Sequence, residues 1–246
     1  MKKTLSYFTK GELVLWICSL TVIILSFAFF DRENYLTLIA SLLGVTSLIF
    51  GAKGNPLSPF LMIIFSILYG VISYSFRYYG EMATYLGMTL PMSAFALITW
   101  LKNPYKGNKA QVAVGRIKKK ELFFMCCLTV IVTVIFYFIL EYFNTANLIP
   151  STFSVATSFA AAYLTMKRSP YFALLYAAND LVLIILWILA TKEDISYLSV
   201  VICFLMFLIN DLYGFISWKR MEKRQIKKAP PINEGAKRLI KSIKEI

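Results

Sequence analysis

Residues 173–190 read ALLYAANDLVLIILWILA, an apolar stretch with an amide and a carboxylate, Asn179 and Asp180, near its middle. A helix rising about 1.5 Å per residue over this length crosses a hydrocarbon core of about 30 Å. Lipid cannot hydrate either polar side chain. The stretch therefore predicts a membrane helix that turns two polar groups towards a polar cavity.

The rest of the chain has the same character, because 59% of its 246 residues are apolar and only 16% are charged. This is the composition of a membrane protein, and only helices can span lipid with such runs. We predict an all-α integral membrane protein with eight transmembrane helices, the sixth of which, rich in small residues, packs inside the bundle. The predicted spans are residues 13–30, 35–52, 59–76, 82–101, 122–140, 148–166, 171–190 and 195–218.

Positive charge lies mainly on one side of this topology. With a cytoplasmic N-terminus, 23 of the 26 Lys and Arg residues fall inside, leaving Arg32, Arg77 and Lys192 outside. The bias predicts a multi-pass plasma membrane protein with both termini in the cytoplasm and the first span retained. The net charge of +13 then reflects topology and attraction to the anionic lipid bilayer, and no nucleic-acid partner is needed.

The residue inventory excludes several kinds of chemistry. The chain has no histidine and no Gly-rich phosphate loop, so zinc hydrolase motifs and histidine triads are absent. Its four cysteines lie in apolar runs without metal-ligand spacing, and we expect them to be small core residues. The sequence therefore predicts no metal, no cofactor and no enzyme activity.

A second Asn-Asp pair, Asn210 and Asp211, occurs in FLINDLYGFISW at residues 207–218. Both pairs lie about 12–13 Å from the cytoplasmic end of their spans, so we expect one polar layer near the midplane. Asp180 and Asp211 are the only acidic residues placed inside spans, and an ionised carboxylate there costs about 2.5–3.5 kcal/mol. That cost predicts that both carboxylates face a polar cavity.

Helical spacing adds hydroxyls and aromatic rings to this layer. Two alternatives stay open: the asparagines could be interhelical hydrogen-bond partners, and Trp187 could face lipid. Trp218 is expected to be an interfacial anchor. The predicted substrate-binding residues are Tyr69, Ser93, Tyr176, Asn179, Asp180, Trp187, Asn210, Asp211 and Tyr213.

The chain shows signs of an internal duplication. Two similar motifs, Ser58-Pro59-Phe60 and Ser169-Pro170-Tyr171, each stand at the start of a span. The next span along the chain then ends with a tryptophan, Trp100 in the first case and Trp218 in the second. The intervening fifth span makes the two three-helix units parallel repeats, which usually bind small solutes between them. The predicted segments are an N-terminal segment with an extra helix (1–34), the first repeat (35–101), a basic loop and linker helix (102–147), the second repeat (148–218) and a basic tail (219–246).

Several strings resemble the PnuC family of vitamin transporters. They are Tyr79-Gly80-Glu81 followed by Leu90-Pro91-Met92, then Asn179 with Trp187, then the segment from Leu208 to Trp218, LINDLYGFISW. The resemblance covers about residues 35–222 and implies a three-plus-one-plus-three fold like that of SWEET sugar transporters. It also implies facilitated diffusion of nicotinamide riboside, trapping by a cytoplasmic kinase, and a homotrimer.

The chain departs from the family pattern at positions that bear on the substrate. Ser93 and Ser66 stand where Gln and Asn are common, and Asp180 stands where an apolar residue is expected. We predict a uniporter of nicotinamide riboside, whose charge Asp180 or Asp211 would balance. The alternatives are thiamine, riboflavin or a nucleoside as substrate, proton coupling through Asp180, and an intramembrane aspartyl enzyme.

Overall fold

A computed structural model of the chain describes residues 7–75, 79–145 and 147–227, and most of these residues form long helices. Eight helical segments in this described part are long and apolar enough to cross a membrane. The elements are α1 (Lys10–Phe30), α2 (Tyr35–Ala52), α3 (Leu57–Ser75), α4 (Tyr79–Thr84), a π-helical turn (Tyr85–Thr89), α5 (Leu90–Lys102), β1 (Pro104–Tyr105), β2 (Asn108–Val112), α6 (Lys119–Tyr142), α7 (Leu148–Met166), α8 (Tyr171–Ala190), a 3-10 turn (Ile195–Tyr197) and α9 (Leu198–Lys227).

The predicted all-α membrane fold with eight helices is confirmed, and every helix end except the last lies within three residues of its predicted position. The fourth span begins at Tyr79 and not at residue 82, and α9 continues to Lys227 and not only to residue 218. The first nine residues of the predicted tail therefore prolong α9, and residues 228–246 lie outside the described part of the chain. α1 begins with a capping box between Thr9 and Glu12, which satisfies two free backbone N–H groups.

The outside of the bundle is apolar. Large side chains such as Phe123 and Phe138 on α6 are 72% and 61% exposed. Continuous apolar surface of this kind suits contact with lipid tails. α7 by contrast packs against α5, α6 and α8, as its small residues predict. Among the cysteines only Cys203 is buried, so the expectation of core positions is wrong for the three that the structure exposes.

The two groups of three spans, α2 to α5 and α7 to α9, exchange contacts in a reciprocal way. α9, the last span of the second group, packs against α2, and α5, the last span of the first group, packs against α7. Gly44 allows the close approach of α2 to α9, because a Cβ there would overlap the Phe207 ring. The extra helix α1 lies against α2 and α9.

A short β-hairpin, which the sequence does not predict, joins α5 to α6. Its antiparallel strands β1 and β2 are connected by Lys106 and Gly107, both with positive φ. The Val112 N–H donates to the Gly54 carbonyl at 2.9 Å, and the Gln225 amide bonds to the backbone of Val112 and Val114. The hairpin thus links the turn after α2 to α9, and we call this end of the bundle the hairpin end.

Candidate substrate-binding cavity

A cavity of about 150 Å³ lies between the two groups of spans. Its walls come from α2, α3, the α4–π–α5 span, α7, α8 and α9, and α6 contributes Leu140. Most of the lining is apolar or aromatic, with a few polar groups among it. The polar and charged lining residues are Ser47, Ser58, Glu81, Thr84, Thr89, Ser93, Ser151, Ser154, Ser158, Thr165, Asn179, Asp180 and Asp211.

Asn179 on α8 is held in one orientation by hydroxyls of α7. Its Oδ1 accepts hydrogen bonds from Ser154 Oγ at 3.1 Å and Ser158 Oγ at 3.0 Å. Thr157 Oγ1 lies 2.8 Å from the same oxygen and divides its proton between it and the Phe153 carbonyl. With the oxygen occupied, the amide offers its N–H donors to a ligand.

The carboxyl groups of Asp180 on α8 and Asp211 on α9 lie near each other, where these two helices pack together. Both residues line the cavity, and they are only 4% and 5% exposed. Asp180 Oδ2 is buried and has no hydrogen-bond partner. The two carboxyl groups therefore lie at the cavity wall, and one of their oxygens has no hydrogen-bond partner.

The opposite wall is formed by the fourth span. Glu81, Tyr85, Met88 and Met92 line the cavity at positions i, i+4, i+7 and i+11, which is one face of a helix. The π-helical turn in this stretch is typical of functional sites. Glu81 was expected in an external loop, and that expectation is wrong because α4 begins at Tyr79. The helical spacing from Glu81 to Met92 is the sequence signal that could have predicted Glu81 as a cavity residue.

Two tryptophans close the hairpin end of the bundle. Trp100 Nε1 donates to the Thr165 carbonyl at 2.8 Å, and Trp218 Nε1 donates to the Gly51 carbonyl at 2.7 Å. The two ring centroids are 5.4 Å apart, and the side chains are 1% and 0% exposed. Trp218 is therefore a core residue, and its expected role as an interfacial anchor is wrong. We call these two residues the tryptophan clasp.

A model of the nicotinamide mononucleotide transporter family matches residues 34–220. The chain belongs to this family. The resemblance to PnuC proteins is thereby confirmed, and it covers almost the range that the sequence motifs suggest. As a family member the chain is a multi-pass membrane transporter protein.

Known relatives of this transporter agree in function and fold. The nicotinamide riboside transporter PnuC of Neisseria mucosa is 25% identical over 200 residues, 79% of this chain and 76% of that protein. The nicotinamide riboside transporter PnuC of Haemophilus influenzae is 21% identical over 193 residues, 78% of this chain and 82% of that protein. A crystal structure of the vitamin B3 transporter PnuC has the same fold, with a TM-score of 0.77, 23% identity, and coverage of 89% of this chain and 94% of that one.

Six of the nine predicted substrate-binding residues line the transporter cavity and three do not. Those that line it are Ser93, Tyr176, Asn179, Asp180, Trp187 and Asp211. Ser93 lies on the same wall as Glu81, Tyr176 lies one turn before Asp180, and the Trp187 ring packs on Tyr197 at 5.3 Å. These six stay predicted contacts for a substrate.

The other three predicted residues make their contacts away from the cavity, and Asn210 Oδ1 is buried without a hydrogen-bond partner. Asn210 Nδ2 donates to Ser19 Oγ on α1 at 2.9 Å, which is the interhelical role that the sequence left open. The Tyr213 hydroxyl donates to Glu12 Oε1 on α1 at 2.9 Å. Tyr69 is buried behind the wall, with its ring centroid 5.0 Å from that of Tyr85. The structure therefore places none of these three in the cavity lining.

Proposed function

We propose that the chain is a uniporter that carries nicotinamide riboside, or a related vitamin, by facilitated diffusion through the cavity between the two groups of spans. The observation that carries the proposal is the cavity between the two groups of spans, which is lined by an oriented amide, two carboxyl groups and aromatic rings. The names of both curated relatives support the choice of substrate. Facilitated diffusion needs binding groups that face one cavity, and the polar and aromatic lining supports this role.

The chemistry of nicotinamide riboside suits these groups. Its cationic pyridinium ring can lie against aromatic side chains such as Tyr176 and Trp187. Its carboxamide and ribose oxygens can accept from the Asn179 N–H groups, and its hydroxyls can donate to Asp180 or Asp211. A buried site discriminates by about 1–3 kcal/mol against a ligand that leaves one such group unpaired.

Alternating access in this proposal is a rocking of one three-helix unit against the other. The reciprocal packing of α9 on α2 and of α5 on α7 supports the division into two parallel repeats joined by α6. The tryptophan clasp would open and close with the hairpin end. Gly214, which lines the cavity, and the Ser-Pro helix starts at residues 58 and 169 are the proposed pivots.

The proposed location is the plasma membrane, with both termini and the hairpin end in the cytoplasm. The charge bias of the loops supports this orientation, since 23 of the 26 basic residues fall on that side. The homotrimer implied by the resemblance stays a prediction, and the exposed apolar face of α6 is available to lipid or to another subunit.

Uptake of labelled nicotinamide riboside into proteoliposomes that contain the purified chain tests the proposal. We expect saturable uptake that follows the substrate gradient, and at least about a tenfold loss of uptake in Asn179→Ala, since an oriented donor is removed from a buried site. Asn108→Ala is the matched control, because Asn108 lies on the hairpin away from the cavity lining. Absence of saturable uptake of nicotinamide riboside, thiamine, riboflavin and nucleosides alike would contradict the proposal.

Two other mechanisms have specific tests. A carrier coupled to protons through Asp180 would accumulate substrate when only a pH gradient is imposed, and a uniporter would not. An intramembrane aspartyl enzyme would use Asp180 and Asp211, which both line the cavity, as its carboxyl pair. Membership of a transporter family argues against the enzyme.

A further inference from the structure

Glu12, in the first turn of α1, is a buried carboxylate that binds one residue from each of the two groups of spans. The Lys53 side chain, which follows α2, donates to Glu12 Oε2 at 3.0 Å, and the Tyr213 hydroxyl on α9 donates to Glu12 Oε1 at 2.9 Å. The Thr9 N–H also donates to Oε2 at 2.7 Å and holds the carboxylate in place. Glu12 is only 4% exposed. We call Glu12, Lys53 and Tyr213 the Glu12 bridge, because they link the two units through a helix that belongs to neither.

The Glu12 bridge lies at the hairpin end, beside direct bonds between α2 and α9. Trp218 Nε1 donates to the Gly51 carbonyl at 2.7 Å, and Ser217 Oγ donates to the Ala52 carbonyl at 2.7 Å. Lys53 follows these two carbonyls directly in the chain. Separation of α2 from α9 at this end would therefore have to break the bridge together with both direct bonds.

α1 is also fixed against both units further along its length. Trp16 Nε1 donates to Thr46 Oγ1 on α2 at 3.2 Å, and Asn210 Nδ2 on α9 donates to Ser19 Oγ at 2.9 Å. Ser19 lies about 10 Å further along the helix than Glu12. The Glu12 bridge is thus the contact of these three that lies nearest the hairpin end, where opening would separate the two units most.

We propose that α1 is a brace that holds the hairpin end closed through the Glu12 bridge and thereby limits the rate of alternating access. This role rests on the proposed function, in which the two units rock against each other. The family model matches residues 34–220, so α1, which ends at Phe30, lies outside the matched core. Release of either Lys53 or Tyr213 breaks the bridge, because it joins the units only while both ends are bound.

Tyr213→Phe tests the brace with a small change, since it removes one hydroxyl and keeps the ring. Opening is measured as the rate at which a cavity cysteine reacts with a water-soluble maleimide in detergent. The probe is Ala96→Cys in a chain whose four native cysteines are replaced by alanine, because Ala96 is 2% exposed and lines the cavity one turn before Trp100. We expect Tyr213→Phe to raise the labelling rate at least about fivefold, since a hydrogen bond to a charged group is lost.

Lys53→Met cuts the other end of the bridge and should raise the labelling rate by a similar factor. The double variant should label within about twofold of the faster single variant, because the bridge is already broken. Two controls remove bonds that do not join the units. They are Lys219→Met, whose ion pair with Glu222 lies within α9, and Trp16→Phe, whose bond ties α1 to α2 alone. Both controls should leave the labelling rate within about twofold of that of the unsubstituted probe chain.

Unchanged labelling in a Tyr213→Phe variant with a normal melting temperature overturns the brace, and this result decides alone if Lys53→Met does not fold. A double variant whose effect is the product of the single effects also overturns it, since independent packing contacts behave in that way. Initial uptake of nicotinamide riboside by Tyr213→Phe should rise about threefold or more, and faster labelling with unchanged uptake would show that the brace does not limit the rate. The labelling test uses no substrate, so its failure leaves the proposed function standing.

Discussion

Asn179 and Asn210 are each followed by aspartate and lie at similar predicted depth, yet they do different things. Asn179 faces α7, and its N–H groups remain available to the cavity. The Asn210 N–H groups instead donate to Ser19 Oγ and to the Met206 carbonyl. Spacing along one helix cannot separate these roles, because both side chains are buried and polar. The difference is set by which neighbouring helix each residue meets, and α1 is the neighbour that occupies Asn210.

The hydroxyls behind Asn179 offer a test of its orientation. Thr157 contacts the Asn179 oxygen but does not line the cavity, so Thr157→Val removes a positioning bond without touching a ligand. We expect the Kd for nicotinamide riboside to rise about fivefold, which corresponds to about 1 kcal/mol for one hydrogen bond. Titration calorimetry measures this change.

Thr152→Val is the control for that variant. The Thr152 hydroxyl donates to the Leu148 carbonyl on the same helix and makes the same kind of backbone bond as Thr157. Its substitution should leave Kd within about twofold of the wild-type value. Equal effects of the two valine variants would show that helix α7, and not the amide orientation, is being perturbed.

At the scale of single elements, hydropathy identifies the spans well and their functional faces less well. All eight spans follow from runs of apolar residues, because length and composition alone determine whether a helix can cross lipid. Glu81 was missed because a charged residue at the edge of an apolar run is usually assigned to a loop. The hairpin was missed because its strands are short and depend on contacts with Gly54 and Gln225, which are distant in sequence.

Two helix glycines should respond differently to alanine. At Gly44 an added Cβ would overlap Phe207, and we expect Gly44→Ala to destabilise the bundle by about 1–3 kcal/mol through overpacking. At Gly214 the nearest atom to an added Cβ is the Ala173 Cβ at 3.6 Å, an ordinary contact. Gly214→Ala should therefore keep or raise the melting temperature, since alanine favours helix.

The transport rate of the Gly214→Ala variant tests whether Gly214 is a pivot. If the helix bends there during rocking, Gly214→Ala slows uptake several-fold while the melting temperature is unchanged or higher. Thermal unfolding in detergent and initial uptake rates in proteoliposomes measure the two effects separately. Unchanged uptake in a normally folded Gly214→Ala variant would exclude the pivot.

At the scale of the whole molecule, the tryptophan clasp repeats the exchange of contacts between the two units. Trp100 lies near the end of α5 and Trp218 lies within α9, and each bonds to a carbonyl near the end of the first span of the other unit. Each of those carbonyls also accepts a turn N–H three residues later, from Gly54 and from Arg168. The sequence predicted the repeats from paired motifs, but it could not show that the paired tryptophans meet, because their partners are backbone atoms.

Because the two tryptophans of the clasp hold equivalent positions, substitutions at each should have similar effects. Trp100→Phe and Trp218→Phe each remove one buried indole bond worth about 1 kcal/mol, and we expect similar falls in melting temperature and a change in transport rate in both. Trp16→Phe is the control, since Trp16 Nε1 bonds to Thr46 Oγ1 at 3.2 Å on α2, outside the clasp. A change in transport rate in only one of the two clasp variants would contradict their equivalent roles.

The reciprocal bonds of the clasp also constrain biosynthesis. The Trp100 indole donates to a carbonyl that lies 65 residues further along the chain, and the Gly51 carbonyl accepts from an indole that lies 167 residues later. When the ribosome has released only the first four spans, neither of these bonds can form, so the first unit must remain in the bilayer as an incomplete intermediate. This chain would therefore remain accessible to quality-control proteases that recognise unfinished membrane proteins until its last span has been inserted.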